Sequence, residues 1–252
     1  MIKARFKRIL EGIFSLIFWL SVWELLSRTL DVSFIFPNVF DTAKAFFALI
    51  TTSVFQKSVI YSLLRVLLGF LFGLTAGIVL ALIAFRFSLC RSLIFPMISV
   101  IKATPVASFI MVLWCFIGGS PVPIVIGALM VTPLVFHNLF DALQTKNDEL
   151  AEVCAVYGVQ GYRKFKYLYL PKLLAFLIPA AVSGMGLCWK ASIAAEIIAY
   201  TKNSIGREIY LSKAFFEGAE LFAYTITVIL MSLLFEKLMH FLGEWVKKKC
   251  HL

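Results

Sequence analysis

From Ala103 to Phe140 the chain carries no Asp, Glu, Lys or Arg for 38 consecutive residues. A helix needs only about 20 apolar residues to cross the roughly 30 Å hydrocarbon core of a bilayer. The stretch is therefore too long for one span. Gly118, Gly119, Ser120, Pro121 and Pro123 divide it, because they are turn residues and helix breakers. The reading is a third span over 97–117, holding Lys102 and Pro105, and a fourth over 122–140. The rest of the 252-residue chain fits the same solvent, with 61% hydrophobic and 15% charged residues and a mean hydropathy of +0.93. Soluble domains carry about 45–50% apolar and about 25% charged residues. An all-α polytopic membrane protein of one domain, residues 1–252, is expected.

Six spans are expected, at about 9–27, 63–85, 97–117, 122–140, 172–200 and 221–243. The first follows four basic residues, Lys3, Arg5, Lys7 and Arg8, and lacks a small-x-small cleavage site, so it reads as an uncleaved anchor rather than a secretory signal. Residues 31–60 hold no span-length run. Pro37 and Asn38 can start a short helix through Ile50, either in the outer interface or in water outside it. In the second span Gly69, Gly73, Gly77 and Ala81 recur every four residues, a stripe that lets another helix approach closely. Pro179 is expected to kink the fifth span, and a polar stretch over 201–220 returns outside.

Six spans put both termini and the loop over 147–171 on one side. Fourteen basic residues fall in the four segments on that side and six in the outer ones. Positive charge collects in the cytosol, so the chain is expected N-in, with both termini and the loop cytosolic. The net charge of +10 follows from this topology and implies neither nucleic acid nor an anionic solute. The five cysteines form no C-x-x-C pair or metal spacing and read as small buried hydrophobes.

The 147–171 loop, NDELAEVCAVYGVQGYRKFKYLYLP, is the long polar interval of the second half. Asn147 can cap a helix, and Asp148 and Glu149 suit its first turn. Leu150, Val153, Cys154 and Tyr157 share one face. Gly158 stands where a left-handed cap wants glycine. Such a helix can lie in a groove on a partner or pack on its own bundle.

Here the chain resembles a family. Permease subunits of bacterial binding-protein-dependent ABC importers carry a cytosolic motif, E-A-A, three residues, G, nine residues, I-x-L-P. Glu152, Gly158, Leu170 and Pro171 match outright. Val153 and Cys154 replace the alanines, with Ala155 next, and Leu168 replaces isoleucine. Residues 61–69 (YSLLRVLLG), 101–107 (IKATPVA) and 189–196 (WKASIAAE) resemble the nitrate/sulfonate/taurine branch. That branch often has Gly-Leu-Gly after the fifth span, where this chain has Ser204, Ile205 and Gly206. The resemblance implies the MetI-like type I permease fold. It also implies a homodimer, two ATPase subunits gripping residues Glu152, Val153, Cys154, Ala155, Gly158, Leu170 and Pro171, and an extracytoplasmic solute-binding protein. The solute would be small, anionic or organic, either nitrate/sulfonate/taurine-like or vitamin-precursor-like.

No G-x-x-x-x-G-K-[ST] occurs, so ATP is expected to be used by a partner subunit, with no cofactor or metal bound by this chain. No catalytic constellation stands out either, which weighs against a membrane-embedded enzyme. Charges within spans are costly and mark functional candidates. Lys190, Lys102 and Glu196 are taken as substrate-pathway residues, against the alternative of a structural ion pair with another helix for Lys190 and Lys102. Lys190 and Glu196 are about 120° apart around a helix, too far round to pair. Arg65 and Glu196 are expected near the outer interface, snorkelling. A channel or ion-coupled carrier without a motor is the alternative class.

Overall fold

The computed structural model describes residues 2–30, 35–145, 152–154 and 156–249. Every regular element among them is helical: α1 (Ile2–Leu30), α2 (Val39–Ile50), α3 (Ser53–Arg86), α4 (Ser88–Ala103), α5 (Val106–Ile117), α6 (Val122–Gln144), α7 (Gly161–Lys164), a π-helical turn (Phe165–Tyr169), α8 (Leu170–Ile198), α9 (Ile205–Ala214) and α10 (Gly218–Lys249). Five stretches are long and apolar enough to cross a membrane, and the bent pair α4–α5 makes a sixth if it counts as one span.

Local chemistry sets the helix starts. Asn38 Oδ1 accepts the Asp41 N–H at 2.7 Å and opens α2 as expected. Thr52 caps α3 in the same way, accepting from Phe55 N–H at 3.3 Å. This moves the start of the second span ten residues ahead of the expected 63, to Ser53. Loss of charge marks hydrocarbon, but a helix continues until its backbone donors and acceptors are capped, wherever the membrane border lies.

The third span departs from expectation. In place of one helix over 97–117 there are two, α4 and α5, bent by 103°. Pro105 has no N–H to give and clashes with a helical predecessor, which forces Thr104 to an extended ψ of 132°. The apolar run could not reveal this, since both halves are equally apolar. Pro133 and Pro179, by contrast, sit inside continuous α6 and α8.

The packed centre is α3 against α6, with α8 packed against both. The glycine stripe makes the first contact possible. A Cβ at Gly73 would stand 2.7 Å from the Ala128 carbonyl oxygen, and one at Gly77 would stand 2.7 Å from Val135 Cβ. Thr132 Oγ1 donates to the Gly73 carbonyl at 3.3 Å across this seam. Gly73→Val is expected to destabilise the bundle by about 1–3 kcal/mol through overpacking against backbone, read as a lowered Tm in detergent. An unchanged Tm would mean that the seam is looser than drawn. Around the seam lie Trp189, whose Nε1 donates to the Val228 carbonyl at 3.1 Å, and a second cluster of Phe95, Phe136 and Phe140. Apart from these, α1 is exposed over most of its described side chains and is tied at its C-terminal end, where Ser27 Oγ donates to the Phe36 carbonyl at 3.0 Å.

Candidate coupling loop and the buried Glu196 clamp

Two places concentrate the polar chemistry of the bundle, one at each end. At the end holding the central loop, Glu152, Val153 and Cys154 are helical. Tyr157 N–H donates to the Val153 carbonyl at 3.1 Å. Val159 N–H reaches back five residues to the Cys154 carbonyl at 2.8 Å, and Gly158 has φ +66°. This is the glycine-closed helix end that the sequence leads one to expect. The expected cap Asn147, its neighbours Asp148, Glu149 and Leu150, and Ala155 lie outside the described residues. Among the described residues at this helix end, Val153 is 50%, Val156 83% and Tyr157 79% exposed.

From this cap the chain enters α7, the π turn and α8 as one rod, which passes as a single 38-residue span candidate. Pro171, at the start of α8, offers no donor to the Tyr167 carbonyl. The turn before it widens, and Leu170 N–H bonds the Phe165 carbonyl five residues back. Lys172 Nζ donates to the Thr145 carbonyl, so the two ends of the loop are tied. Leu168 is buried, which seats the rod on the bundle.

At the opposite end, Glu196 near the end of α8 is 0% exposed. Its Oε2 accepts from Ser62 Oγ at 2.7 Å and from Gly206 N–H at 3.3 Å. Its Oε1 accepts from Arg65 Nη1 at 3.4 Å. Ser62 Oγ also accepts the Ile205 N–H at 2.9 Å. Arg65 in turn donates to the carbonyls of Lys202 at 2.8 Å and Asn203 at 3.1 Å. One carboxylate thus joins α3, α8 and the start of α9. The snorkelling expected of Glu196 is therefore corrected. A carboxylate on the inner side of its helix, with three donors in reach, is better satisfied by them than by bending towards water. Thr201 Oγ1 extends the knot by donating to the Gly119 carbonyl at 2.8 Å.

Gly206 is required by this geometry, because a Cβ there would stand 2.4 Å from Glu196 Cβ. Ser204, in place of the first glycine of the family pattern, caps α9 by accepting Arg207 N–H at 3.0 Å. The loop between α8 and α9 therefore differs in sequence but keeps the glycine that touches the carboxylate. On α9 itself, burial pushes the Glu208 carboxyl above its ordinary range, opposed by the charge of Arg207.

Of the three pathway candidates, Glu196 lies inside this clamp with its oxygens occupied, while Lys190 and Lys102 are exposed on α8 and α4. Lys190 and Glu196 form no pair, as the helical angle requires. Lys102 sits one turn before the α4–α5 bend. Ser62 and Gly206 were not singled out from sequence. The available signal was the i, i+3 spacing of Ser62 and Arg65, which sets both on one helix face. Among the described residues no group of three His, Cys, Asp or Glu comes together.

The fold and these two ends define an all-α polytopic membrane protein with an exposed, glycine-capped helix at one end of its bundle. The chain belongs to the family of binding-protein-dependent transport system inner membrane components, whose profile matches residues 73–251. It is similar to a probable ABC transporter permease protein of Brucella melitensis, 21% identical over 220 residues, covering 86% of this chain and 87% of that protein. Two probable ABC transporter permease proteins of Brucella abortus are likewise 21% identical over 220 residues, covering 86% of each chain. The protein is thus the permease component of an ABC transporter.

Proposed function

We propose that this permease works in an ATP-driven importer of a small anionic or organic solute, of the nitrate/sulfonate/taurine or vitamin-precursor kind. An extracytoplasmic binding protein delivers the solute. Two copies of the chain form the pathway, and two separate ATPase subunits grip the cytosolic loops. Both termini face the cytosol across a bacterial inner membrane. The chain has no ATPase site of its own and binds no cofactor.

The observation that carries this reading is the exposed helix around Glu152, closed by Gly158 and continued through the π turn into α8. An exposed apolar helix face suits a groove on a partner. A stiff rod behind it suits transmission of that partner's movement to a span. When the ATPases close on ATP, the helix moves, α8 moves with it, and the spans rock between inward-open and outward-open arrangements. Co-purification of an ATPase subunit with this chain tests the reading. A chain that carries solute downhill in liposomes without any ATPase would instead be the channel or carrier.

Within this mechanism Lys190 and Lys102 are the cations left to attract an anion on the path. Lys190→Met is expected to raise the half-saturating solute concentration for uptake by roughly tenfold, the loss of one charge-assisted contact. An unchanged apparent affinity removes Lys190 from the pathway.

A further inference from the structure

We propose that the groove between α8 and α10 is a binding site for a phospholipid whose headgroup carries a primary ammonium, as phosphatidylethanolamine does. A cavity of about 200 Å³ opens there, lined by Ile178, Pro179 and Val182 on α8 and by His240, Glu244 and Lys247 on α10. Gly243 lets the two helices close below it, since a Cβ at that position would stand 2.7 Å from Ile178 Cγ2.

The depth is that of a headgroup. About 20 helical residues cross the hydrocarbon core. Counted back from Ile198, the end of α8, that crossing finishes near Ile178. Counted forward from Leu221, it finishes near Phe241. The cavity therefore straddles the level at which both helices leave hydrocarbon, which is the inner leaflet in the orientation proposed above. Trp245, with Lys249 Nζ 4.9 Å above its ring, stands at the same level as an interfacial anchor.

The chemistry selects the occupant. His240, Glu244 and Lys247 follow at i, i+4 and i+7 and share one face of α10. Glu244 and Lys247 have opposite charges and line one cavity, yet form no ion pair with each other. A zwitterion satisfies both. Its phosphate accepts from Lys247 and His240, and its ammonium donates to Glu244. The acyl chains continue over Ile178, Pro179 and Val182. A choline headgroup has no N–H to offer Glu244, and a glycerol headgroup offers it hydroxyls but no cation, so the carboxylate charge stays uncompensated beside the phosphate.

The test is native mass spectrometry of the full-length protein released from vesicles of equal parts phosphatidylethanolamine, phosphatidylcholine and phosphatidylglycerol. The retained lipid is expected to be enriched in phosphatidylethanolamine by roughly five- to tenfold over phosphatidylcholine, the value of one charge-assisted hydrogen bond in a partly wet site. Glu244→Gln should return the retained lipid to the bulk ratio, Glu244→Asp should preserve the enrichment, and Lys247→Gln should lower retention of all three. Retention in bulk proportion by the unaltered protein would overturn the proposal, and so would undiminished enrichment in Glu244→Gln. If Lys247→Gln instead dissolved a lipid-independent dimer, the groove would belong to a second copy and the proposal would fall.

Discussion

Replacing Glu196 by alanine is expected to destabilise the protein by about 3–5 kcal/mol, the cost of removing one partner from a buried ion pair. The guanidinium of Arg65 would lose its carboxylate, Gly206 N–H would lose its acceptor, and Ser62 Oγ, which holds the Ile205 N–H, would lose the group that orients it. Glu196→Gln should cost less, because an amide oxygen can still accept from Ser62 and Gly206. Arg65→Met combined with Glu196→Gln should cost less than the sum of the two single changes, since each removes the other's unpaired partner. Thermal unfolding in detergent measures all four. A Glu196→Ala protein that melts within about 1 °C of the parent would mean that the clamp contributes little to the fold, against the range expected for such pairs.

Gly158→Leu is expected to abolish coupled transport while leaving the fold in place. The backbone at Gly158 has φ +66°, and among the described residues nothing lies within 4 Å of where a Cβ would stand. The substitution therefore meets a conformational cost rather than a clash, about 1–2 kcal/mol for a left-handed L-residue. That is little for a bundle whose core lies elsewhere, and the global melting point should barely change. It is much for the helix end over 152–157, whose closing hydrogen bonds depend on that conformation. Uptake in proteoliposomes with the ATPase subunits should fall to background. Gly158→Asn should recover part of it, because asparagine tolerates the left-handed region. Full uptake by Gly158→Leu would remove this helix from the coupling path.

These two sites differ in how far they can be read from residues alone. The Gly158 cap is local. A short amphipathic run, a glycine after its last periodic position and a proline beyond are enough to place it, and the hydrogen bond from Val159 to Cys154 closes it as expected. The glycine stripe of α3 is local as well, since a four-residue repeat of small side chains announces a close helix contact without naming the partner. The partner is α6, and only the folded bundle shows it. The π turn before Pro171 had a signal only in that proline, which removes a donor but does not say that the turn widens in answer. The bend at Thr104–Pro105 had a signal in Pro105. The same residue type at Pro133 and Pro179 leaves its helix continuous, and composition does not separate the two outcomes.

Burial in hydrocarbon is a property of composition, and capping is a property of neighbours a few positions apart. Residue order alone therefore determined that this is an all-helical membrane protein, and where the helix before Gly158 stops. Whether Glu196 faces lipid, water or protein depends on Ser62 and Arg65, more than 130 positions away. An ionisable side chain in a span is satisfied by whatever the packing brings to it. Only the tertiary structure could decide that the carboxylate is enclosed, that α4 and α5 part at 103°, and that α8 and α10 leave a charged groove between them.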